Sequence, residues 1–384
     1  SAINSYATRK KNIRIYLLID EYDNFTNTIL STYGTEFYRK ATHGEGFIRG
    51  FFNVIKSATT GTGAALERLF ITGVSPVTMD DVTSGFNIGT NITNDSWFND
   101  LVGFSENELR EMLEYYKEQG VLQESIDEIV AMMKPNYDNY CFSEDTLEQC
   151  MFNSDMALYF LKSFVLHHKK PKEIVDPNIR TDFNKLAYLI KLDHGLGENF
   201  SVIKEIAEQG EIITDIVTHF SALEMTDPSN FKSLLFYFGL LSIKGVDMVG
   251  RPILHVPNLV VREQLFNFLI QGYIKHDIFK IDMNKMSALF ENMAFRGDWK
   301  PLFDFIANAV REQSRIREYI EGEAHIKGFL LAYLGMYRYY QLYPEYELNK
   351  GFADFFFKPS LSVPVLPPFT YLLEVKYAKA GASE

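Results

Sequence analysis

The first hydrophobic run, "IRIYLLID" from Ile13 to Asp20, is almost unbroken. That is the pattern of a central strand in a sheet covered on both faces. "EFYRKATHGEGFIRGFFNVIKSAT" then carries helical stretches broken by glycines. "LERLFITGVSP" predicts a second buried strand, closed by Gly73 and Pro76. "VTMDDVTSGFNIGTNIT" reads as a polar, Gly- and Asn-rich loop. The first hundred or so residues are therefore α/β in pattern.

From about Phe104 a helical period takes over. "SENELREMLEYYKEQG" pairs a Ser105 cap with Glu108, and Gly120 is expected to stop the helix. Helical patterns dominate to about Phe238, and one ends near Gly239. Two short strand-like runs, "LLSIKGV" and "RPILHVP", then flank a Gly-containing turn before another helix. Helix, hairpin and helix in succession outline a winged-helix unit. The last segment, from about Met283, reads as helices ("SALFENMAF", "WKPLFDFIANAVREQ", "AHIKGFLLAYLGMYRYY") followed by strand-like runs in "YPEYELNKGFADFFFKP" and "FTYLLEVKYA".

Composition narrows the class. With 384 residues, two or three domains are expected, and 46% hydrophobic content is ample for packed cores. The net charge of −12 argues against a surface that coats nucleic acid generally, while leaving room for a local basic groove. Two cysteines, Cys141 and Cys150, make no metal pattern and suit free thiols in a reducing, cytoplasmic compartment. No apolar run reaches the roughly 18–20 residues of a membrane span, and no signal peptide opens the chain.

Two places carry chemistry. At the carboxyl end of a buried parallel strand, where ligands gather, Asp20 is placed to hold a hydrated Mg²⁺ on nucleotide phosphates. Its neighbour Glu21 is placed to polarise a water. Thr72, at the end of the second strand, is placed to bond the attacking water or the γ-phosphate. Near the end of the chain, strand alternation puts Glu374 and Lys376 on one side of "TYLLEVKYA" and Val375 on the other. Asp354 lies in the aromatic run "GFADFFFK", where an acid is costly without a partner or a metal. Two carboxylates on adjacent strands with a lysine match Mg²⁺-dependent phosphodiester hydrolysis: the acids hold the ion, and the lysine orients water or neutralises phosphate charge. Glu323, in "EGEAHIKGFLL", fits an additional acid from the preceding helix. The patch "HHKKPK" is expected to be a solvated helix end, and the aromatic runs to be core.

The ordered blocks "YLLIDEYDNF", "FITGVSPVTMDDVTSGFNIGTNIT", "LVGFSENELREML", "GEAHIKGFLLAYL…GFADFFFKP" and "YLLEVKYAK" resemble bacterial AAA-like ATPases fused to a PD-(D/E)xK nuclease-like domain. The resemblance implies an α/β multidomain fold. A partial P-loop AAA-like ATPase core would span 1–103, a helical region with a winged-helix-like unit 104–282, and a restriction-endonuclease-like α/β domain 283–384. It implies Asp20 and Glu21 as Walker B acids and Thr72 as a sensor-like residue. It also implies ATP and Mg²⁺ as cofactors, and nucleic acid, DNA before RNA, as partner, with homo-oligomers left open. No G-x-x-x-x-G-K-[ST] occurs, and only nineteen residues precede Asp20. The phosphate-binding half is thus expected to lie outside this chain, as is the helix after the Glu374–Lys376 strand. The rival expectation is an ATP-switched scaffold whose nuclease fold is not catalytic.

Overall fold

A computed structural model describes residues 14–59, 64, 66–74, 89–169, 171, 176, 198–221, 224–275, 279–313, 323–349, 351–360, 363 and 365–376. The strand β1 (Ile15–Ile19) leads into helices α1 (Asn24–Thr42) and α2 (Phe47–Thr59), and β2 (Leu66–Ile71) returns parallel to β1. Helix α1 is kinked at Gly34; of the glycines expected to break the helical stretches, Gly44 and Gly46 form the turn between the two helices, whereas Gly50 lies inside α2.

The expectation of a strand covered on both faces is not met by β1. Ile15, Leu17 and Ile19, with Leu69 and Ile71 of β2, pack on the core. On the other face Tyr16 is 65% and Leu18 75% exposed, with Phe70 beside them. The described residues supply one packing layer for this two-stranded sheet, and α2 provides it with Ile48, Phe52, Ile55 and Ala58. A continuous apolar run therefore does not guarantee two covers. Pro76 and most of the polar loop, residues 75–88, lie outside the described residues.

Helices α3 (Glu106–Glu118), α4 (Ile126–Tyr137) and α5 (Ser154–His167) enclose their own core around Leu109, Ile129, Met133 and Phe160. The Ser105–Glu108 capping box forms in full at the start of α3. Gly120 follows its last turn at φ +72°, a left-handed conformation that glycine adopts without steric cost. Next come α6 (Glu198–Gln209), β3 (Glu211–Ile213), α7 (Pro228–Tyr237), β4 (Ser242–Val246), β5 (Pro252–His255) and α8 (Leu259–Lys275). The expected helix, hairpin and helix are present. The strand β3 was not foreseen: three residues are too few for a period, and pairing with β5 (Ile212 opposite Leu254) makes it a strand. The resulting antiparallel sheet has the order β3-β5-β4.

The last segment holds α9 (Met283–Arg296), α10 (Lys300–Glu312) and α11 (Glu323–Gly335), then β6 (Tyr340–Leu348), β7 (Gly351–Pro359) and β8 (Tyr371–Leu373) as an antiparallel sheet in that order. The final strand is shorter than the nine-residue run expected, although alternation continues past it: Glu374 exposed, Val375 buried, Lys376 exposed. Phe329 to Leu334 of α11 are all buried, as are Phe355 and Phe357 of β7, so helix and sheet share one core. Arg262 of α8 donates to the Leu342 carbonyl at 3.1 Å, and Arg338 pairs with Glu263 at 3.1 Å, tying α8 to this sheet. No helix among the described residues is long and apolar enough to cross a membrane.

Candidate functional site

Parallel pairing brings the carboxyl ends of β1 and β2 side by side, with Ile19 opposite Ile71. The ladder continues one step further. Thr72 N donates to the Ile19 carbonyl at 2.8 Å, and Tyr22 N to the Thr72 carbonyl at 3.0 Å. This puts the Thr72 hydroxyl on Asp20, where it donates to Oδ1, an atom that also accepts from Glu21 N at 3.0 Å. Asp20 and Glu21 are both exposed. Glu21 has φ 50°, a left-handed conformation costing a residue with a Cβ roughly 1–2 kcal/mol. Its Oε2 accepts from Asn24 Nδ2 at 2.7 Å, at the entrance to α1.

Asp23 is the member of this turn that sequence reasoning passed over. It is 1% exposed, and its Oδ1 accepts from Val74 N at 3.1 Å, clamping the turn after β1 to the turn after β2. Gly73 lies inside the clamp. A Cβ there would run into the Tyr22 ring and stand 2.8 Å from Asp23 Oδ1, so the close approach of the two turns requires glycine. The signal was the third acid of "DEYD": one short turn does not leave three acids equally solvated.

At the other end, β7 and β8 pair Phe355 with Leu373, and Asp354 and Glu374 are the next residues on their two chains. Asp354 Oδ2 accepts from Val375 N at 2.5 Å, the backbone between Glu374 and Lys376. Its Oδ1 meets Lys327 Nζ of α11 at 2.5 Å, and the same ammonium lies 3.0 Å from Glu345 Oε1 of β6. Burial alone would push the Asp354 carboxyl up. Hydrogen bonds from Lys327 and Val375, with the charges of Lys327 and Lys376, outweigh it and hold the carboxyl below its ordinary value. Glu374 Oε1 pairs with Lys376 Nζ at 2.5 Å, both side chains well exposed at 63% and 79%. Glu323 is the first residue of α11, four positions and about one turn before Lys327.

The structure thus brings together Asp354, Glu374 and Lys376. It adds two residues that sequence reasoning missed, Lys327 and Glu345. Lys327 was legible only as a lysine one turn after Glu323, and Glu345 only as an acid in a strand-like run. The chemistry of the site suits a hard divalent cation, which takes carboxylate oxygens. Asp354 and Glu345 already share one cationic group, the Lys327 ammonium. Among the described residues no three carboxylate, imidazole or thiol groups converge as a ligand set: Asp354 and Glu345 are paired with Lys327, and Glu374 with Lys376.

Elsewhere, α5 ends at His167, and His168, with φ 50°, places its ring Nδ1 2.9 Å from the Val121 carbonyl. Of "HHKKPK", the residues Lys170 and Lys172 lie outside the described residues. On the β4–β5 hairpin, Lys244 pairs with Glu211 at 2.5 Å and Arg251 with Asp247 at 2.8 Å.

Residues 1–83 match the model of a family described as a predicted AAA-ATPase, and residues 321–384 match the model of the PD-(D/E)XK nuclease superfamily. The two segments stand in the order that the sequence resemblance implied. No curated protein and no solved structure matches the chain.

Proposed function

We propose, from a first segment that is AAA-ATPase-like and a last one of the PD-(D/E)XK nuclease superfamily, that the chain cleaves nucleic acid under the control of a nucleotide. The observation that carries this reading is the Asp354 carboxylate bonded to the backbone inside Glu374-Val375-Lys376. That bond holds an acid of one strand against the acid and the lysine of the next.

Asp354 and Glu374 would hold Mg²⁺, with Glu323 assisting from the start of α11. When bound, that ion stabilises charge developing on the phosphate and helps ionise a water. Lys376 orients the water or meets the phosphate, which its exposed position allows. At the other end Asp20, aligned by Thr72, holds the cation that accompanies ATP. Glu21, held out by its own backbone conformation and by Asn24, polarises the hydrolytic water. The helix, hairpin and helix from Pro228 to Lys275 serve as a spacer that passes nucleotide state between the two ends. The basic residues of its hairpin are paired with acids, which favours a spacer over a DNA-reading wing.

A second reading, an ATP-switched scaffold without cleavage, is favoured by one observation. Asp354 and Glu374 each carry a lysine rather than converging. Cleavage of labelled single- and double-stranded DNA and RNA with Mg²⁺ or Mn²⁺, with and without ATP, separates the two. Cleavage that is lost in Lys376→Ala, while folding and ATP turnover persist, supports the nuclease. No cleavage by the wild type under any condition leaves the scaffold.

A further inference from the structure

Lys327 is a group that the D…ExK pattern does not call for. Its ammonium is 2.5 Å from Asp354 and 3.0 Å from Glu345, on a side chain only 21% exposed. We propose that Lys327 is a built-in counter-cation of the nuclease site. It holds Asp354 and Glu345 until a divalent ion takes its place on Asp354, and then turns its ammonium to the phosphate of the substrate. This rests on the nuclease reading above.

The argument is one of charge and reach. Asp354 and Glu345 each turn a carboxylate oxygen to the Lys327 ammonium, and carboxylate oxygens are the donors that a hard divalent ion takes with twice the charge. The Asp354 side chain is 12% exposed, so solvent screens it little, and an ammonium and a divalent ion cannot share its oxygens without strong repulsion. Occupation is therefore exclusive. The residues that follow Lys327 on α11, Phe329 to Leu334, are buried in the core, so the helix stays and only the flexible four-carbon stem moves. Lys376, like Lys327, acts on the Asp354 carboxylate, and a phosphodiester bound there brings the displaced ammonium the negative charge it has lost. Lys327 thus acts as a positioning residue that couples metal entry to substrate binding. In the free protein it keeps metal affinity low.

Mn²⁺ binding to the full 384-residue chain, followed by electron paramagnetic resonance without substrate, tests this. Lys327→Met and Lys327→Gln are expected to bind Mn²⁺ about tenfold tighter than wild type, the order that groups bordering metal ligands command. Lys327→Arg, which keeps the cation, is expected to bind as the wild type does. Unchanged or weaker binding in the neutral variants overturns the proposal while leaving the metal site in place. No Mn²⁺ binding by any form, wild type included, removes the metal reading and this proposal together. Because the neutral variants can be unstable, a second measurement uses the wild type. The Nζ resonance of Lys327, assigned by its loss in Lys327→Arg, is expected to shift on titration with Mg²⁺. A resonance that stays in place while the ion binds overturns the proposal.

Discussion

Asp354 is where structure and chemistry of the C-terminal site meet, and its replacement has a calculable cost. Asp354→Ala removes a charge-assisted hydrogen bond from Lys327 and one from Val375 N, each worth about 1.5–3 kcal/mol in general. The pair is neither exposed nor fully buried. Lys327 keeps Glu345 as a partner, and the two losses overlap, so the net cost is roughly 2–4 kcal/mol. Asp354→Asn keeps one acceptor, for Val375 N, but loses the charge and turns an amide donor toward Lys327, costing about 1–2 kcal/mol. Urea unfolding followed by circular dichroism, with the slope held common, measures both. The sign with pH follows from the depressed carboxyl. Its contribution is fully present above the unfolded value of about 3.9 and is lost as pH falls through the lower folded value. The deficit of Asp354→Asn at pH 7 therefore shrinks below about pH 4. A variant as stable as wild type at pH 7, or a deficit that grows in acid, refutes the arrangement of Asp354, Lys327 and Val375 described above.

Gly73→Ala drives a methyl into Tyr22 and against Asp23, and is expected to cost about 1–3 kcal/mol. Gly89→Ala, where nothing lies within 4 Å of the added carbon, serves as the near-neutral control in the same unfolding assay. Burial pushes the Cys150 thiol up to about 11 and the Cys141 thiol up as well. Iodoacetamide at pH 8 is therefore expected to alkylate Cys150 on the order of a hundredfold more slowly than a free cysteine, and Cys141 more slowly as well, both accelerating as pH rises. Alkylation of both thiols at the free rate in the folded protein would contradict the buried Cys141 and the half-buried Cys150.

What could be read from the sequence was local. The Ser105–Glu108 box, the stop at Gly120, the hairpin of β4 and β5 and the alternation that exposes Glu374 and Lys376 around buried Val375 all follow from spacing within a few residues. Such patterns act through neighbours that the chain itself supplies. The candidate residues other than Glu323, which was read from the preceding helix, were picked out in the same way, each from a strand end or strand face.

The tertiary structure decided what faces what. It left Tyr16 and Leu18 bare on a strand whose composition promised two covers. It buried Asp23 while exposing Asp20 and Glu21, three and two residues away. It set the Thr72 hydroxyl on Asp20 across 52 positions, and it brought Lys327 and Glu345, which no motif marked, onto Asp354. Sequence periodicity states which side of an element is apolar. Which charged group meets another depends on the register between elements far apart in the chain, and that is fixed only when the core closes and selects one register among many.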